Sequence, residues 1–245
     1  MRRTRLCKVP FTLWVYVTLL ASAGLAPARA EMGPCRPDGH ESMICGTGDG
    51  AARVIEGTMS PSRRLALAWR STRTPPTEQP SEDGDLDNLV IRIGDGAILA
   101  KQDGEYWSTP EGGHVNRLME QAAWSPDSRL MIETFQQRFN TSMVDVYAFD
   151  AHDKLAGPFN LLHIMEPAVQ ARLKQRGKNV EPYMFATSGR RSFTIDNRGR
   201  VHARAMMWVP KEGPLAYFAM TIQVTRKGSA LDARILSIRP SRKEL

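Results

Sequence analysis

The feature that most constrains the fold of this chain is a strand–turn–strand corner that occurs three times. Residues 122–135, AAWSPDSRLMIETF, run from one short apolar segment through a turn at Ser125-Pro126 into a second apolar segment. Two other segments follow the same order, with turns that begin at Ser60-Pro61 and Asp196-Asn197. Proline presets its φ angle, and small polar side chains bond back to the backbone, so these residues favour tight turns. The repetition predicts three equivalent antiparallel corners.

Each corner is followed by a second pair of short apolar segments with a polar or glycine-containing turn between them. These pairs are residues 88–93 with 97–101, 142–149 with 154–159, and 214–225 with 230–238. Regular turn spacing and β-branched residues favour strands. We therefore predict a single all-β domain, residues 31–245, made of three four-stranded antiparallel meander units at about 46–113, 114–180 and 181–245. The pattern leaves open whether the units close as a propeller or as a sandwich.

Two segments depart from the strand pattern. Residues 164–177, IMEPAVQARLKQRG, place Val169 and Leu173 four residues apart and Pro167 near the start, which predicts a short amphipathic helix between the second and third units. Residues 71–87 are rich in proline and acidic side chains, and they predict a mobile surface loop inside the first unit.

The corner around Trp124 resembles a known repeat. Residues 124–130, WSPDSRL, resemble the WSPDG(K/R) corner of the TolB-like, or PD40 (WD40-like), β-propeller repeats, and residues 59–70 resemble it more weakly. The resemblance implies four-stranded, blade-like units, and many members of that family are periplasmic or secreted. It supplies no catalytic residue. Ser128 stands where the repeat usually has glycine, and three units are fewer than the four or more blades of a closed propeller.

The first thirty residues have the pattern of an export signal. Four Lys or Arg residues within the first eight positions precede an apolar run at 11–26, and Ala28-Arg29-Ala30 gives a small-x-small cleavage pattern. The run is shorter than the roughly 20 residues of a membrane span. We predict a signal peptide at residues 1–30, a periplasmic or secreted protein that begins at Glu31, and no transmembrane segment after the signal is removed.

Cys35 and Cys45 are the two cysteines beyond the predicted signal peptide. An oxidising compartment and an even number of cysteines predict a disulfide between them. A loop that short would stabilise the fold by roughly 3 kcal/mol. There is no C-x-x-C pair and no cluster of histidines, so we predict neither a metal site nor a cofactor.

The charges of the chain are segregated. Residues 31–170 contain 12 Lys and Arg against 21 Asp and Glu, whereas residues 171–245 contain 16 against 5. Such asymmetry indicates either an anionic partner for the C-terminal part or neutralisation of one half by the other in the folded protein.

The candidate ligand-binding residues lie after the third corner. Arg198, Arg200, His202 and Arg204 are two residues apart, so a strand would place them on one face, with Val201, Ala203 and Ala205 on the other. Arginine can hold phosphate, sulfate or carboxylate groups with two hydrogen bonds. The row is therefore a candidate anion-binding face, and the alternative is a solvated face that prevents sheets from associating.

No G-x-S-x-G or H-E-x-x-H motif occurs, so the sequence offers no catalytic residues. We predict a secreted or periplasmic, non-enzymatic binding module whose basic face takes an anionic envelope polymer or an acidic protein. The location argues against nucleic acid as a partner. The alternative is a small periplasmic hydrolase with a cleft between β units.

Overall fold

A computed structural model gives the fold. It describes residues 32–39, 42–71, 75–78, 86–102, 119–136, 140–177, 184–187, 189–209 and 213–241. The predicted signal peptide lies outside the described residues, as does most of the predicted acidic loop. The described residues form an all-β fold with one α-helix, as the sequence predicts. None of its helices combines the length and the apolar character needed to cross a bilayer, as far as the described residues go.

The elements follow one another in short steps along the chain. The strands are β1 (Cys35–Pro37), β2 (Met43–Cys45), β3 (Ala52–Val54), β4 (Leu65–Ser71), β5 (Leu86–Arg92), β6 (Ala97–Gln102), β7 (Met119–Trp124), β8 (Leu130–Gln136), β9 (Thr141–Phe149), β10 (Leu155–Asn160), β11 (Met184–Ala186), β12 (Phe193–Ile195), β13 (Arg200–Val209), β14 (Gly213–Lys227) and β15 (Ala230–Ser241). The helix α1 (Leu162–Lys174) lies between β10 and β11. The predicted second hairpins correspond to β5–β6, β9–β10 and β14–β15.

The strands form three antiparallel sheets, none of which closes into a barrel. The N-terminal sheet has the order β1-β2-β3-β4-β5-β6, and the middle sheet has the order β10-β9-β8-β7. The C-terminal sheet has the order β11-β13-β14-β15, and β12 also pairs with β13. Two sheets exceed the predicted four strands. The disulfide segment adds β1 and β2 to the first, and the outer strand of the third is split into β11 and β12.

The three corners share one turn pattern, although the third turn is one residue shorter than the other two. In each, the N–H of the first turn residue donates to the carbonyl of the first residue of the following strand. The bonds run from Ser60 to Leu65 (2.8 Å), from Ser125 to Leu130 (2.9 Å) and from Asp196 to Arg200 (2.9 Å). The fourth turn residue has a left-handed φ in every case, 58° at Arg63, 61° at Ser128 and 76° at Gly199. The flanking strands pair antiparallel at all three corners. The predicted equivalence is therefore confirmed.

The corners also contact one another. The N–H of Ser62 in the first corner donates to Oγ of Ser128 in the second, at 2.9 Å. The N–H of Asp127 in the second corner donates to Oδ1 of Asn197 in the third, at 3.1 Å. These bonds connect the first corner to the second and the second corner to the third.

The middle sheet lies between the other two sheets. Met131, Tyr147 and Phe149 share a buried cluster with Leu67 and Trp69 of the N-terminal sheet. On the opposite face, buried side chains of the middle sheet pack with α1 and the C-terminal sheet; they are Ala123, Ile132, Val144 and Val146. Successive strand residues point to opposite faces, which is how one sheet can supply two cores.

The helix lies where the sequence predicts it, although α1 begins two residues earlier than predicted and ends at Lys174. Met165, Val169 and Leu173 are buried at four-residue intervals. Asn160 Oδ1 accepts the N–H of Leu162 at 2.9 Å and so satisfies a free donor at the first turn. The helix thus contributes one apolar stripe to the core.

The N-terminal segment is attached to the N-terminal sheet. Cys35 and Cys45 form the predicted disulfide between β1 and β2. The N–H groups of Met32 and Cys35 donate to the carbonyls of Gly96 and Ile93, at 3.3 and 3.1 Å. The predicted loop at 71–87 was too long at both ends, because Ser71 belongs to β4 and Leu86 and Asp87 belong to β5.

Candidate functional site

The basic strand after the third corner has the predicted alternation. Along β13, Arg200 and His202 are exposed and Arg204 is partly exposed. Val201, Ala203 and Ala205 are buried in the core that the C-terminal sheet shares with the middle sheet. The strand therefore has one apolar face and one basic face, and the basic face is turned away from the middle sheet.

Arg198 does not belong to this strand. It lies in the turn before β13, and Gly199, with φ 76°, separates it from Arg200. We predicted that the four basic residues lie on one face of a single strand. This was wrong for Arg198, because the left-handed residue Gly199 interrupts the two-residue alternation. The carbonyl of Arg198 accepts a hydrogen bond from Nε2 of Gln223 at 2.8 Å.

Strand register assembles two rows across this basic face. In one row, Arg204 of β13 lies opposite Ala219 of β14, which lies opposite Arg239 of β15. In the next row, Thr194 of β12, His202 of β13 and Thr221 of β14 are register partners. Two arginines therefore flank an alanine, beside a row of a histidine and two threonines.

A groove of about 260 Å³ lies over these rows. Its lining includes Arg191, Arg204, Arg239, His202, Thr194 and Thr221. Of the four predicted residues, the groove brings together His202 and Arg204, whereas Arg198 and Arg200 lie outside its lining. The 3₁₀ turn Gly189–Ser192 supplies Arg191. We call this feature the arginine groove.

The hydrogen bonds around the arginine groove hold its side chains in place. Nη2 of Arg204 donates to the carbonyl of Arg191 at 3.2 Å, which connects β13 to the 3₁₀ turn. Oγ1 of Thr221 lies 3.4 Å from Nδ1 of His202. Arg239 is exposed at the end of β15. The groove thus presents guanidinium, imidazole and hydroxyl groups to solvent.

Three of the four predicted basic residues have no ion-pair partner from the acidic half in the part of the protein that the structure describes. Arg198, Arg200 and His202 form no ion pair with a described carboxylate. Arg226, at the far end of β14, does pair with Asp150 of the acidic half, at 3.7 Å. The charge asymmetry is therefore partly an internal contact, but that contact lies away from the arginine groove.

A second unusual cluster is buried between the N-terminal and middle sheets. Glu120 of β7 and Glu133 of β8 are only 2% and 0% exposed. Gln102 of β6 donates its Nε2 to Oε2 of Glu133 across the interface. Neither carboxyl oxygen of Glu120 accepts a hydrogen bond.

The two carboxyls act as a pair that holds a proton. Burial raises the pKa of Glu133 to about 7. Burial, together with the neighbouring charge of Glu133, raises the pKa of Glu120 well above its usual range. Two adjacent buried carboxyls cannot both ionise, so one stays protonated and bonds to the other. Their low exposure keeps a substrate from contacting either group in this conformation.

Sequence reasoning missed this pair, although one signal was present. In LMIETF, Met131, Glu133 and Phe135 alternate by two, which puts a carboxyl on the same face as two core residues. The described residues contain no group of three or more His, Cys, Asp or Glu side chains that could hold a metal ion.

No protein-family model matches this chain, and no curated protein matches it either. The resemblance of residues 124–130 to TolB-like repeats stays a prediction. Any inference about function therefore depends on the site itself.

Proposed function

We propose that this protein is a periplasmic or secreted, non-enzymatic binding module. Its binding surface is the basic face of the C-terminal sheet, formed by Arg200, His202 and Arg204 together with the arginine groove. Its ligand is an anionic envelope polymer or an acidic partner protein. The observation that carries the proposal is the convergence of three arginines, a histidine and two threonines on one groove.

The chemistry of these side chains supports anion binding. Guanidinium groups stay charged at every physiological pH and bind oxyanions in a planar, two-pronged geometry. Hydroxyl groups add donors that can complete the shell of an oxyanion. The exported location is inferred from the signal pattern at residues 1–30, and it favours polymers of the envelope over nucleic acid.

The alternative function, a hydrolase with a cleft between β units, has less support. The described lining of the arginine groove includes a histidine and hydroxyls but no carboxylate, so it lacks a group to orient the histidine as a base. The paired carboxyls of Glu120 and Glu133 do lie between two sheets, but both are buried. Binding is therefore the better-supported function.

Charge reversal tests the proposal. The chain from Glu31 onward is titrated with fluorescein-labelled dextran sulfate, and binding is followed by fluorescence anisotropy. We expect Arg200→Glu with Arg204→Glu to weaken binding about tenfold or more, which corresponds to about 1.4 kcal/mol. We also expect wild-type binding to weaken between low and physiological salt, since exposed charges are screened over about 8 Å at 0.15 M.

A matched control has the same charge change elsewhere on the basic half. Arg172→Glu with Lys174→Glu reverses two exposed charges on α1, outside the arginine groove. We expect this control to change binding less than threefold. Equal loss in both variants would mean that net charge, and not the basic face, determines binding, and the proposal would be rejected.

A further inference from the structure

We infer that the arginine groove is a specific site for a phosphate monoester group, such as the one that a phosphorylated sugar carries. The inference rests on the proposed function, because it names the anionic group that the basic face takes. It makes a stronger claim than charge attraction, since it requires the shape of the groove as well as its charge.

The centre of the groove is formed by a small residue between two long ones. Arg204 and Arg239 lie on either side of Ala219 in direct register. Neighbouring strands are about 4.8 Å apart, so the two arginine backbones are about 10 Å apart. The methyl group of Ala219 leaves the space between them open. An anion above Ala219 can therefore be reached by a guanidinium group from each side.

Arg191 and the adjacent row complete the donors. Arg191 lines the groove from the 3₁₀ turn, next to Arg204, which bonds to its carbonyl at 3.2 Å. His202, Thr194 and Thr221 form the row beside Ala219. The donors come from five elements, the 3₁₀ turn and the strands β12 to β15, so an anion in the groove would be surrounded on several sides.

The number of charges favours a phosphate monoester over a carboxylate. A monoester has a charge of about −1.5 to −2 at pH 7 and three strong acceptor oxygens. Three guanidinium groups match three oxygens, whereas a carboxylate offers only two oxygens and one charge. A carboxylate would therefore use fewer of the donors that the groove offers.

The size of the groove limits the rest of the ligand. Pockets for drug-sized molecules have volumes of about 300–1,000 Å³, and this groove has about 260 Å³. It therefore has room for the phosphate and the ring next to it. Leu236, on β15, is the one large hydrophobic side chain that is exposed among the described residues, and a lipid-binding face has several apolar anchors.

The ligand itself titrates near neutral pH, which gives the site a characteristic signature. A monoester loses its second proton near pH 6, so its negative charge increases as the pH rises from 5 to 7. The groove lining holds three guanidinium groups, which stay charged throughout this range, and its described part contains no carboxylate. Binding of a monoester should therefore become tighter as the pH rises from 5 to 7.

The test compares three ligands that share a sugar ring and differ in the anionic group. Glucose 6-phosphate, glucose 6-sulfate and glucuronate are titrated into the chain from Glu31 onward by calorimetry, at pH values from 5 to 8. We expect glucose 6-phosphate to bind at least tenfold more tightly than either of the others at pH 7. The sulfate ester does not titrate in this range, so its weaker binding should lack the increase between pH 5 and 7 that the monoester shows.

A variant that fills the groove tests the shape requirement. Ala219→Leu keeps every charge but places a larger side chain between the two arginines, and Ala219→Val is a smaller change that strands also accept. We expect at least a tenfold loss of glucose 6-phosphate binding with leucine and a smaller loss with valine. Thr225→Leu is the matched control, because Thr225 is exposed on the same strand outside the groove lining.

The outcomes separate this inference from the proposed function. Dextran sulfate binding should stay within twofold in Ala219→Leu, since no charge is changed. If both Ala219 variants bind glucose 6-phosphate like wild type, or if glucuronate binds equally well, the monoester site is rejected while the basic face stands. If wild type fails to bind dextran sulfate, the proposed function fails. Thermal melts of each variant establish that it is folded.

Discussion

The two end faces of the sheet stack differ in how they meet solvent. On the N-terminal sheet, Ala66, Ala68, Leu89 and Ile91 form the face turned away from the middle sheet, and each is 0% exposed. The disulfide segment packs against that face through Met32 and other side chains. The corresponding face of the C-terminal sheet presents Arg200 and His202 to solvent. One end of the stack is therefore closed, and the other is open.

The difference is already encoded in the strand patterns. In β4, residues 65–69, LALAW, are apolar at every position and all are buried, as in strands that are covered on both faces. In β13, buried and exposed residues alternate from Arg200 to Ala205, as in strands with one solvated face. A closed face contributes mainly to stability, whereas an open polar face is free to bind. The predictions below test this division.

The largest expected effect is a truncation on the closed face. We expect Leu89→Ala to lower the free energy of unfolding by about 2–5 kcal/mol, because Leu89 is fully buried and its loss leaves a cavity. Arg200→Ala on the open face should change it by less than about 0.5 kcal/mol. Urea unfolding followed by circular dichroism measures both. Similar losses in the two variants would contradict the division.

The disulfide should have the next largest effect. We expect Cys35→Ala with Cys45→Ala to cost roughly 3 kcal/mol, since the bond closes a short loop in the unfolded chain. Urea unfolding of the double variant measures the loss. Binding of dextran sulfate should not change, because the bond lies on the closed end. A disulfide variant that loses binding while still folded would link the two ends and defeat the comparison.

The paired carboxyls predict a dependence of stability on pH. The pKa of Glu133 is raised to about 7 in the folded protein, above the value of 4.5 for an exposed glutamate. The folded state therefore holds a proton that the unfolded state has lost, so stability falls as the pH rises from about 4.5 to about 7. The slope is at most about 1.4 kcal/mol per pH unit for each proton, and Glu120, whose pKa is also raised, acts in the same direction.

Urea unfolding of the wild type at pH values from 4.5 to 8 measures this dependence, with Glu133→Gln as the comparison. Glutamine keeps the size of the side chain and does not titrate, so the slope should become shallower. Hydrogen bonds from Arg92 lower the pKa of Asp95, so Asp95 changes the stability at pH values below this range and does not affect the slope measured here. A wild type whose stability rises steadily from pH 5 to 7 would show that the pair is not protonated.

The smallest expected effects are at the corners. Arg63 has a left-handed φ of 58°, which costs a residue with a side chain about 1–2 kcal/mol. Arg63→Gly removes that cost but loses about 0.5–1 kcal/mol to the greater backbone entropy of the unfolded chain, so we expect a net gain of about 0–1.5 kcal/mol. Ser128→Gly should not give this gain, because Ser128 Oγ accepts the N–H of Ser62. Thermal unfolding of the two variants tests whether the corners differ in this way.

Local signals were sufficient to predict the framework. The turns at Ser125-Pro126 and its two counterparts, the second hairpins and the helix around Val169 follow from turn chemistry and residue periodicity. Each of these depends on fewer than about fifteen neighbouring residues, as do the strand and helix periods themselves. The disulfide was predictable because two cysteines allow a single pairing.

The arginine groove was only partly predictable, because strand register determines which of its other residues come together. Arg234 and Arg239 are five residues apart, so strict alternation puts them on opposite faces. The register between β14 and β15 shifts between Thr221 and Ile222, and this irregularity places Arg234 opposite Gln223 and Arg239 opposite Ala219. Gln223 and Ala219 both lie on the open face, so Arg234 and Arg239 lie on that face as well. A bulge of this kind has no clear signal in a single sequence.

Hydrogen exchange tests the central claim, that the open basic face is the binding surface, most directly. Amide exchange of the chain from Glu31 onward is measured with and without dextran sulfate, residue by residue. We predict slower exchange in β13, β14 and β15 and no change in β1 to β6. Protection that is strongest in the N-terminal sheet, or absent from the C-terminal sheet while the polymer is bound, would contradict this account.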